Sequence, residues 1–558
     1  MPAPFAVNTK QLSEINRLEE EGLTMALSEK LGIPYTDLSI VPINIEALSY
    51  LPEKLARASG AAIFSELGKK ISLAILTPNN SRVKEVVKLI QDKGYYVALH
   101  ISSKHGLEKA WERYKEISGT KEYVSGMVDI NTAEIEKVKQ EIKSLAILQT
   151  YVDKELKGNK NQSATKVLEI VLAGALSIEA SDVHIEPEET IVRLRLRLDG
   201  VLQNIVSFDH SIFKHLISRI KLISGLKLNI RTKAQDGRFT IRTGETDIEI
   251  RTSILPGNYG EGVVMRILDP STVSLDIEKL GMNERVLSIM KKELARPNGM
   301  ILNTGPTGSG KTTTLYSFLK LANHPDVKII TIEDPIEYHL QGVTQTQVRK
   351  GYGFLEGLRA ALRQDPDIIM VGEIRDTETA RIAINSALTG HLVFSTLHTN
   401  TAAGAIPRLL DLGVDIKVMG DAINVLMAQR LVRILCAKCK EPCPPSNEEL
   451  EILKKVVSEI SEEYKKIIPP INEIKIFKAK GCSLCNNTGY KGRMGIFDII
   501  LVDESVQQVI LMHPSEREVW KAAKKQGIPR MKEDGVLKIV AGTTDFLELS
   551  RVIDLEKD

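Results

Sequence analysis

A glycine-rich segment in the middle of the chain carries residues suited to binding phosphate. It reads GPTGSGKT, fits G-x-x-x-x-G-K-[ST], and lies between an apolar run, 300–302, and a helical stretch. Glycines let backbone N–H groups face phosphate oxygens, the following helix N-terminus adds its dipole, lysine neutralises β/γ oxygens and a hydroxyl ligates Mg²⁺. The residues predicted to hold ATP and Mg²⁺ are Gly305, Pro306, Thr307, Gly308, Ser309, Gly310, Lys311, Thr312 and Thr313.

Acidic residues follow two predicted strands downstream of this loop. The apolar run 327–332 ends in EDPIE, and the run 368–371 is followed by Glu373. Because the carboxyl ends of parallel strands meet at one edge of an open α/β sheet, both acidic segments are expected beside the phosphate loop. His391 and His398 flank a third run. A lone histidine is often a structural residue, so a structural and a functional role stay open for each.

The chain's five cysteines lie close together near the C-terminus, and four of them form two C-x-x-C pairs. Paired thiolates at this spacing suit a tetrahedral zinc site. The spacer between the pairs is longer than in a common zinc ribbon, which predicts a helical insertion that folds out between them. A redox dithiol is the alternative, and two pairs without a thioredoxin-like context disfavour it. The predicted Zn²⁺ ligands are Cys436, Cys439, Cys482 and Cys485, with Cys443 expected to be a non-ligand.

The motifs resemble those of a known family in content and order. GPTGSGKTTT, TIEDPIEY, LRQDPDIIMVGEIRD and TGHLVFSTLHTN are similar to the Walker A, Asp box, Walker B and His box of the secretion ATPases, the motors of type II secretion and type IV pilus assembly. The resemblance implies that Glu337 is the catalytic base and Glu373 the magnesium organiser. It places His391 and His398 in the His box, so both are catalytic candidates. Gly372 stands where a Walker B aspartate is usual, as in the family's own atypical form.

EASDVHIEP, RLRLRLDGVL, QDGRFTIR and VVMRIL resemble the PAS-like second domain of the same family. The last three segments and the nearby IEIR carry arginines, and phosphoryl transfer needs positive charge that an arginine fork supplies better than lysine. Since similar arginines approach nucleotide at the domain interface in the family, Arg238, Arg251 and Arg266 are catalytic candidates, with a structural ion pair as the alternative for each. Arg363 and Arg375 are expected to pair with nearby aspartates instead.

The composition indicates a large globular protein. Its 558 residues are 43% hydrophobic and 26% charged, which excludes wholesale disorder. The 74 basic and 72 acidic side chains nearly cancel, so no global field would draw the chain to a nucleic acid. No apolar run approaches the roughly 20 residues of a membrane span, and the first residues lack a secretory signal. We therefore expect a cytoplasmic protein that reaches the inner face of the cytoplasmic membrane only peripherally, through partners.

The predicted fold is a multidomain α/β and α+β arrangement. A RecA-like P-loop ATPase domain with a tetracysteine zinc insertion follows a PAS-like α+β domain and a small N-terminal α/β domain. In the last of these, strands at 71–76 and 95–101 flank a predicted helix that follows Ser81. The arginine, leucine and glycine pattern of family members that bind cyclic di-GMP is missing, so that ligand is not expected. The expected segments are 1–150 for the N-terminal domain, 151–162 for a linker, 163–270 for the second domain, 271–558 for the ATPase domain and 436–490 for the zinc insertion.

The resemblance implies that ATP hydrolysis powers assembly of a type IV pilus or a type II secretion pseudopilus at the inner membrane. It implies a homo-hexamer and an inner-membrane platform protein as partners, and no nucleic acid. A nucleic-acid translocase or helicase is one alternative, disfavoured by the near-neutral charge and by the lack of interleaved basic and aromatic residues. A nucleotide switch without turnover is another, disfavoured by the two glutamates. The residues do not distinguish pilus assembly from secretion.

Overall fold

The chain folds into two compact units, Met1–Ser125 and Gly126–Asp558. The structure, a computed structural model, describes residues 9–41, 43–44, 47–48, 50–67, 70–92, 95–114, 141–157, 163–243, 246–269 and 276–556. None of the helices in these ranges is long and apolar enough to cross a membrane.

The N-terminal unit is a small α/β domain built on a three-stranded sheet in the order β1-β2-β3. Strands β2 and β3 are parallel and joined by helix α3, which confirms the predicted strand–helix–strand unit, whereas β1 adds an antiparallel edge strand that the sequence analysis missed. The elements of this unit are α1 (Thr9–Leu31), α2 (Glu53–Ser59), β1 (Ala61–Leu67), β2 (Lys70–Ile75), α3 (Ser81–Asp92), β3 (Tyr96–Ile101) and α4 (Lys104–Glu112).

The first part of the larger unit is an α+β domain with a six-stranded antiparallel sheet in the order β6-β5-β4-β9-β8-β7. Side chains of β5 alternate between buried leucines and half-buried arginines, as expected for a strand with one face on a core. Its elements are α5 (Leu145–Leu156), α6 (Ser163–Ser177), β4 (Asp182–Pro187), β5 (Val192–Leu198), β6 (Val201–Phe208), α7 (His210–Ile223), β7 (Gln235–Thr243), β8 (Thr246–Gly257) and β9 (Gly260–Leu268).

The expected linker at 151–162 requires a correction, as does the domain boundary at 150. Helix α5 occupies 145–156, and its Leu148 and Val152 are fully buried in the core of the six-stranded domain. Leu148 packs so closely on α6 that a Cβ added to Gly174 would lie 2.4 Å from its Cδ1 atom. Helix α5 therefore belongs to the second domain. Residues 158–162 of the expected linker lie outside the described ranges.

The rest of the chain is an α/β domain around a seven-stranded sheet in the order β12-β11-β13-β14-β10-β15-β18. Neighbouring strands are parallel except β15 and β18, and buried clusters cover both faces, because Met300 and Leu302 join one cluster and Ile301 the other. A parallel sheet requires such cover on both faces. This confirms the α/β prediction for this domain.

Helices follow most of the parallel strands of this domain, whereas β12 follows β11 without an intervening helix. The elements of the domain are α8 (Glu284–Leu294), β10 (Gly299–Thr304), α9 (Lys311–Ala322), β11 (Ile329–Glu333), β12 (Val343–Gln347), α10 (Phe354–Ala361), β13 (Ile368–Val371), α11 (Thr377–Leu388), β14 (Leu392–Leu397), α12 (Ala405–Asp411), α13 (Ile416–Ala422), β15 (Ile423–Leu435), β16 (Glu441–Cys443), α14 (Asn447–Glu459), α15 (Glu462–Lys465), β17 (Ile476–Lys478), β18 (Tyr490–Leu501), α16 (Glu504–Met512), α17 (Glu516–Ala523), α18 (Met531–Val540) and α19 (Phe546–Val552).

Truncation of Leu148 tests whether α5 is an integral part of the second domain. We expect Leu148→Ala to lower the free energy of unfolding of that domain by about 2–5 kcal/mol, because it leaves a cavity against α6. Hydrogen exchange of the six-stranded sheet measures this. The matched control is Ile147→Ala, since the neighbouring Ile147 is 37% exposed and its loss should change stability by less than about 0.5 kcal/mol. Equal exchange rates in the two variants would mean that α5 is a linker after all.

Candidate nucleotide site and tetracysteine centre

The phosphate loop lies between the end of β10 and the start of α9, where the sequence predicted it. Strand β15 runs directly beneath it. A Cβ at Gly305 would lie 2.7 Å from the backbone oxygen of Gln429, and one at Gly310 would lie 2.8 Å from the Gln429 side-chain amide. Gly310 also has a φ of 90°, a conformation that favours glycine. The glycines are therefore required both by conformation and by the close approach of β15.

One buried amide fixes this arrangement. The side-chain oxygen of Gln429 accepts hydrogen bonds from Asn303 Nδ2 at 3.0 Å and from Thr314 Oγ1 at 2.9 Å. These residues belong to β10, α9 and β15, and all three are buried. The sequence analysis missed this contact, for which the only signal is a polar residue inside a run of buried strand residues.

Lys311 points back onto its own loop. Its Nζ atom donates to the backbone oxygens of Gly305 at 2.7 Å and Pro306 at 3.0 Å. Burial lowers the pKa of Lys311, as does the nearby guanidinium of Arg430, while Glu373 opposes the shift. The ammonium therefore lies in a partly desolvated place where an anion would interact strongly with it.

A cleft of about 490 Å³ opens in front of the loop. It is bounded by the α/β domain and by the end of β9 of the second domain, so the two domains of the larger unit share it. The predicted site residues that line it are Thr307, Gly308, Ser309, Gly310, Lys311, Thr312, Thr313, Glu337, Glu373, His398 and Arg266.

The carboxylate of Glu333, at the end of β11, is the most deeply buried acid of the cleft. Side chains of Thr331, Tyr316 and Gln345 donate hydrogen bonds to it. Burial raises the pKa of Glu333, although these three donors favour its charged form. Burial also raises the pKa of the Tyr316 hydroxyl, with the Glu333 charge adding to the shift. Glu333 is thus held by neighbours on several sides, and the sequence analysis missed the Tyr316 contact.

Glu337 lies four residues further on and is held by the second domain. The Nη1 atom of Arg251 lies 3.3 Å from Glu337 Oε2, and its Nη2 atom donates to the backbone oxygen of Ile336 at 2.9 Å. Glu249 binds the same guanidinium at 2.9 Å. Arg251 therefore connects strand β8 to the acidic segment of the cleft.

Glu373 lies at the end of β13 with its side chain only 14% exposed. One carboxylate oxygen pairs with Arg375, and the other lies 3.3 Å from His398 Nε2. The expected pairing of Arg375 with a nearby aspartate was therefore wrong. Glu373 and Arg375 are two residues apart in this loop, and their side chains point to the same side. Arg375 therefore lies in the cleft beside Glu373.

His391 does not share this site, which corrects the candidate list. It precedes β14, and its backbone oxygen accepts a hydrogen bond from Gly299 at the start of β10, whereas the phosphate loop follows the end of β10. Its Nδ1 atom lies 3.1 Å from the backbone oxygen of Ser386. His391 and His398 thus lie at opposite ends of β14, so only His398 is at the edge of the sheet where the phosphate loop begins.

The three candidate arginines of the second domain form a row across neighbouring strands. Arg238 on β7 faces Arg251 on β8, which faces Arg266 on β9, and Arg266 faces Asp182 on β4. Arg266 lines the cleft and donates to the buried Asp182 at 3.1 Å, which also binds Arg197 at 3.2 Å. Like charges opposite one another on adjacent strands destabilise a sheet unless anions compensate them.

Only part of this row reaches the cleft. Arg266 and, through Glu337, Arg251 do so, whereas Arg238 is exposed and does not line it. Among the described residues, the acid partners of the row are therefore on β4, β8 and the loop after β11.

The structure brings the four predicted cysteine ligands together. Their sulfur atoms all lie within 4.8 Å of one another, with Cys436 and Cys482 at 3.9 Å and Cys439 and Cys485 at 3.8 Å. Hydrogen bonds from the backbone of the second pair lower the pKa of the Cys482 thiol to about 7. Cys443 lies on β16, outside this group. Four thiolates at tetrahedral spacing suit zinc.

The insertion between the two cysteine pairs differs from the expectation. It contains helix α14 but also the β16–β17 pair, and it does not fold out. Leu453 and Val456 of α14 and Ile476 of β17 are buried in one cluster with the C-terminal helices α18 and α19. A charged amphipathic helix of this kind needs a surface to cover its apolar face, and the C-terminal helices provide it.

The second cysteine pair also contacts the second domain. The side-chain oxygen of Asn486 accepts a hydrogen bond from the backbone N–H of Leu145 at 2.8 Å, and Asp199 accepts one from the backbone N–H of Gly492 at 3.1 Å. Asn486 has a φ of 53°, in the region that asparagine tolerates. Neither contact has a recognisable signal in the sequence.

Comparison with known proteins agrees with this architecture. The family described as type II/IV secretion system protein matches residues 157–551, and the MshEN domain family matches residues 31–120. The type IV pilus assembly ATPase PilB of Myxococcus xanthus is 34% identical over 543 residues, covering 96% of this chain and 92% of that protein. Type II secretion system protein E of Pseudomonas aeruginosa is 42% identical over 389 residues, covering 69% of this chain and 75% of that protein.

A solved structure supports the fold alone. The X-ray structure of the Yersinia pseudotuberculosis ATPase DotB superposes with a TM-score of 0.50 at 19% identity, covering 71% of this chain and 93% of that one.

Proposed function

The chain belongs to the family of type II/IV secretion system proteins, and from that membership we propose that it hydrolyses ATP to power assembly of a type IV pilus or a type II secretion pseudopilus. The chain is an ATPase of this family. The observation that best supports a motor function is the cleft, in which the phosphate loop, Glu337, Glu373 and an arginine of the second domain lie together. Closure of one domain on another around a nucleotide is a common way to convert hydrolysis into movement.

The extent of the similarity favours pilus assembly over secretion. The relative named as a pilus assembly ATPase matches along 96% of this chain, including the N-terminal unit, whereas the type II relative matches along 69%. We assign the platform protein of the same machine, at the inner face of the cytoplasmic membrane, as the partner that receives the movement.

Each side chain of the cleft has a role that its position supports. Lys311 binds the β- and γ-phosphate oxygens, exchanging its two backbone acceptors for them. The Glu373 carboxylate and the Thr312 hydroxyl offer the hard oxygen atoms that Mg²⁺ prefers, so these residues fit the metal. When bound, Mg²⁺ neutralises charge that develops on the phosphates. Glu337 orients water and accepts its proton, and His398, hydrogen-bonded to Glu373, positions that carboxylate.

Substitution of the two glutamates separates binding from turnover. We expect Glu337→Gln and Glu373→Gln to lower ATP turnover at least about 100-fold while both still bind ATP, because an amide keeps the shape but neither accepts the proton nor attracts the metal. Dependence on Mg²⁺ concentration should shift only for Glu373→Gln. Lys311→Ala should lose tight ATP binding as well. His391→Ala is the matched control with near-normal turnover, and a Glu337→Gln variant as active as the parent would move the base to Glu333.

The arginine row supports a mechanism that couples neighbouring copies. Arg251 and Arg266 stand beside the cleft, and an arriving γ-phosphate would add the negative charge that three arginines in a row favour. Arg238, at the outer end of the row, is available to a neighbouring subunit. We therefore propose a homo-hexameric ring in which arginines of the second domain, Arg238 included, complete the charge around the nucleotide of the same or the adjacent subunit.

Mixing experiments test the coupling between copies. ATP turnover per chain should rise with protein concentration, and titrating Lys311→Ala protein into the parent should reduce activity by more than simple dilution. Arg238→Ala, Arg251→Ala and Arg266→Ala should each lower kcat about tenfold or more. Arg242→Ala is the control, since Arg242 lies on the same strand as Arg238 and pairs with Asp247 at the exposed end of the hairpin. A flat concentration curve together with full activity of all three variants would refute the ring mechanism.

The four cysteine sulfurs support a structural zinc ion. A closed set of four thiolates leaves no open coordination position for chemistry, and the cluster lies at the base of the insertion. Cys436, Cys439, Cys482 and Cys485 would hold the metal and so close the long loop between the two pairs.

Metal analysis tests this assignment. Purified protein should contain about one zinc per chain, and Cys439→Ser should lose it, whereas Cys443→Ser should retain it. Loss of the metal should lower the melting temperature of the insertion more than it weakens ATP binding. Protein that was never exposed to chelator or acid and that contains no zinc would contradict the assignment.

A further inference from the structure

One large cavity among the described residues has no part in the proposed function. It measures about 800 Å³ and lies between β18, the C-terminal helices and the loop that follows β14. Its apolar walls include Val456, Ile528 and Met531. Cavities of this size and mixed character are typical of small-molecule sites.

Two guanidinium groups of this cavity have no carboxylate partner among the described residues. Arg430 donates only to the backbone oxygen of Gln429 and to the backbone and side-chain oxygens of Asn400. Arg530 stacks on the Trp520 ring, with its Cζ atom 4.2 Å from the ring centre, and its guanidinium makes no ion pair. Buried or half-buried cations are ordinarily paired, so these two point to an anion.

Among the described residues, no acid of the cavity forms an ion pair with either guanidinium, although the charge of Arg530 opposes the effect of burial on the pKa of Asp498 and of Glu533. Asp498 is 4% exposed, and burial raises its pKa, which favours the neutral carboxyl. Burial likewise raises the pKa of Glu533, whose carboxylate accepts a hydrogen bond from the Arg530 backbone. Glu459 and Asp554 lie at the exposed rim, where Asp554 has a partner of its own. The wall thus carries four basic side chains, Arg430, Lys524, Arg530 and Lys532, and four acidic ones, of which burial disfavours the charged form of Asp498 and Glu533.

Further polar groups in this region lack hydrogen-bond partners among the described residues. They are Asp498 Oδ1 and the indole Nε1 of Trp520. The other oxygen of Asp498 accepts from the backbone N–H of Ala402 at 3.0 Å. The indole N–H of Trp520 can donate to an anion, and a buried donor without an acceptor is costly.

We propose that this cavity is a binding site for a small anionic molecule, one phosphate or carboxylate group on an apolar body, held by Arg430 and Arg530. The site is separate from the nucleotide cleft but adjoins it. Arg430 Nη1 would lie 3.2 Å from a Cβ at Gly305 of the phosphate loop, and its charge acts on Lys311. An anion on Arg430 would therefore change the electrostatic field at the loop from behind.

The chain contains an intrinsic fluorescent reporter for this site, the tryptophan Trp520. It has two tryptophans, Trp111 in the N-terminal unit and Trp520 in the cavity wall. In Trp111→Phe protein, Trp520 is the only tryptophan. A bound molecule that moves Arg530 away from the Trp520 ring changes the fluorescence emission of Trp520. The nucleotide cleft is first saturated with a non-hydrolysable ATP analogue and Mg²⁺, so that the probe meets the second site alone.

The probes are phenyl phosphate and phenylacetate, with benzyl alcohol as the neutral match. We expect a saturable change in Trp520 emission with one or both anions and none with the alcohol, and the stronger anion distinguishes a phosphate from a carboxylate ligand. Arg530→Gln should weaken binding about tenfold or more, as should Asn400→Asp, which places a carboxylate on Arg430. Asn400 is exposed, so this second variant keeps the fold.

The matched control is Lys525→Gln, which removes one nearby exposed positive charge outside the cavity wall and should leave the affinity unchanged. Equal affinity in Arg530→Gln, Asn400→Asp and Lys525→Gln would overturn the proposal, because binding would then follow surface charge alone. An emission change with benzyl alcohol as strong as with the anions would also overturn it. So would emission that varies with protein concentration and not with either anion, since a second copy of the chain would then fill the cavity.

Discussion

The position of the phosphate loop depends on one buried amide. Gln429 offers a single oxygen atom to Asn303 at the end of β10 and to Thr314 in the first turn of α9, and these residues bracket the loop. Leaving two buried donors without an acceptor would cost more than either hydrogen bond contributes. The backbone of β15 is thereby fixed against Gly305, at a distance that excludes any side chain there. The sheet and the phosphate loop are therefore held in one fixed arrangement.

This constraint extends in both directions along the sheet. Strand β15 pairs with β18 over most of its length, and these two strands lead into the tetracysteine centre and the C-terminal helices. On the other side β14 and β13 carry His398 and Glu373 to the same edge as the loop. Lys311, Glu373 and Glu337 each already contact a group of opposite polarity, so nucleotide must compete with these contacts. The competition ties occupancy of the cleft to Arg251 and hence to the second domain.

The sequence predicted where the phosphate loop and the acidic residues lie because these motifs are local. Strand, loop and helix are contiguous there, and the acids follow apolar runs whose parallel pairing brings them to one edge. The assignment of His391 to this site was wrong. A motif that includes a whole strand places its first and last residues at opposite ends of that strand, so His391 and His398 lie at opposite edges of the sheet. Helix α5 was missed because charged residues at its C-terminal end hide the apolar spacing of Leu145, Leu148 and Val152. Gln429 depends on tertiary contacts and has no such local pattern. Arg375 contacts a residue nearby in the sequence, but the conformation of the loop decides that this residue is Glu373 and not a neighbouring aspartate.

Among the described residues, two separate sets of hydrogen bonds and ion pairs join the second domain to the ATPase domain. One is at the cleft, where Arg251 binds Glu337 and the backbone of Ile336. The other is at the second cysteine pair, where Asn486 and Gly492 bond to Leu145 and Asp199. A rigid domain held at two points rotates only if one contact gives way. Both sets contain hydrogen bonds between a side chain and the backbone, and the cleft set also contains the ion pair of Arg251 with Glu337. The cleft contact is the one that nucleotide affects, because its phosphates compete with the Glu337 carboxylate for the guanidinium of Arg251.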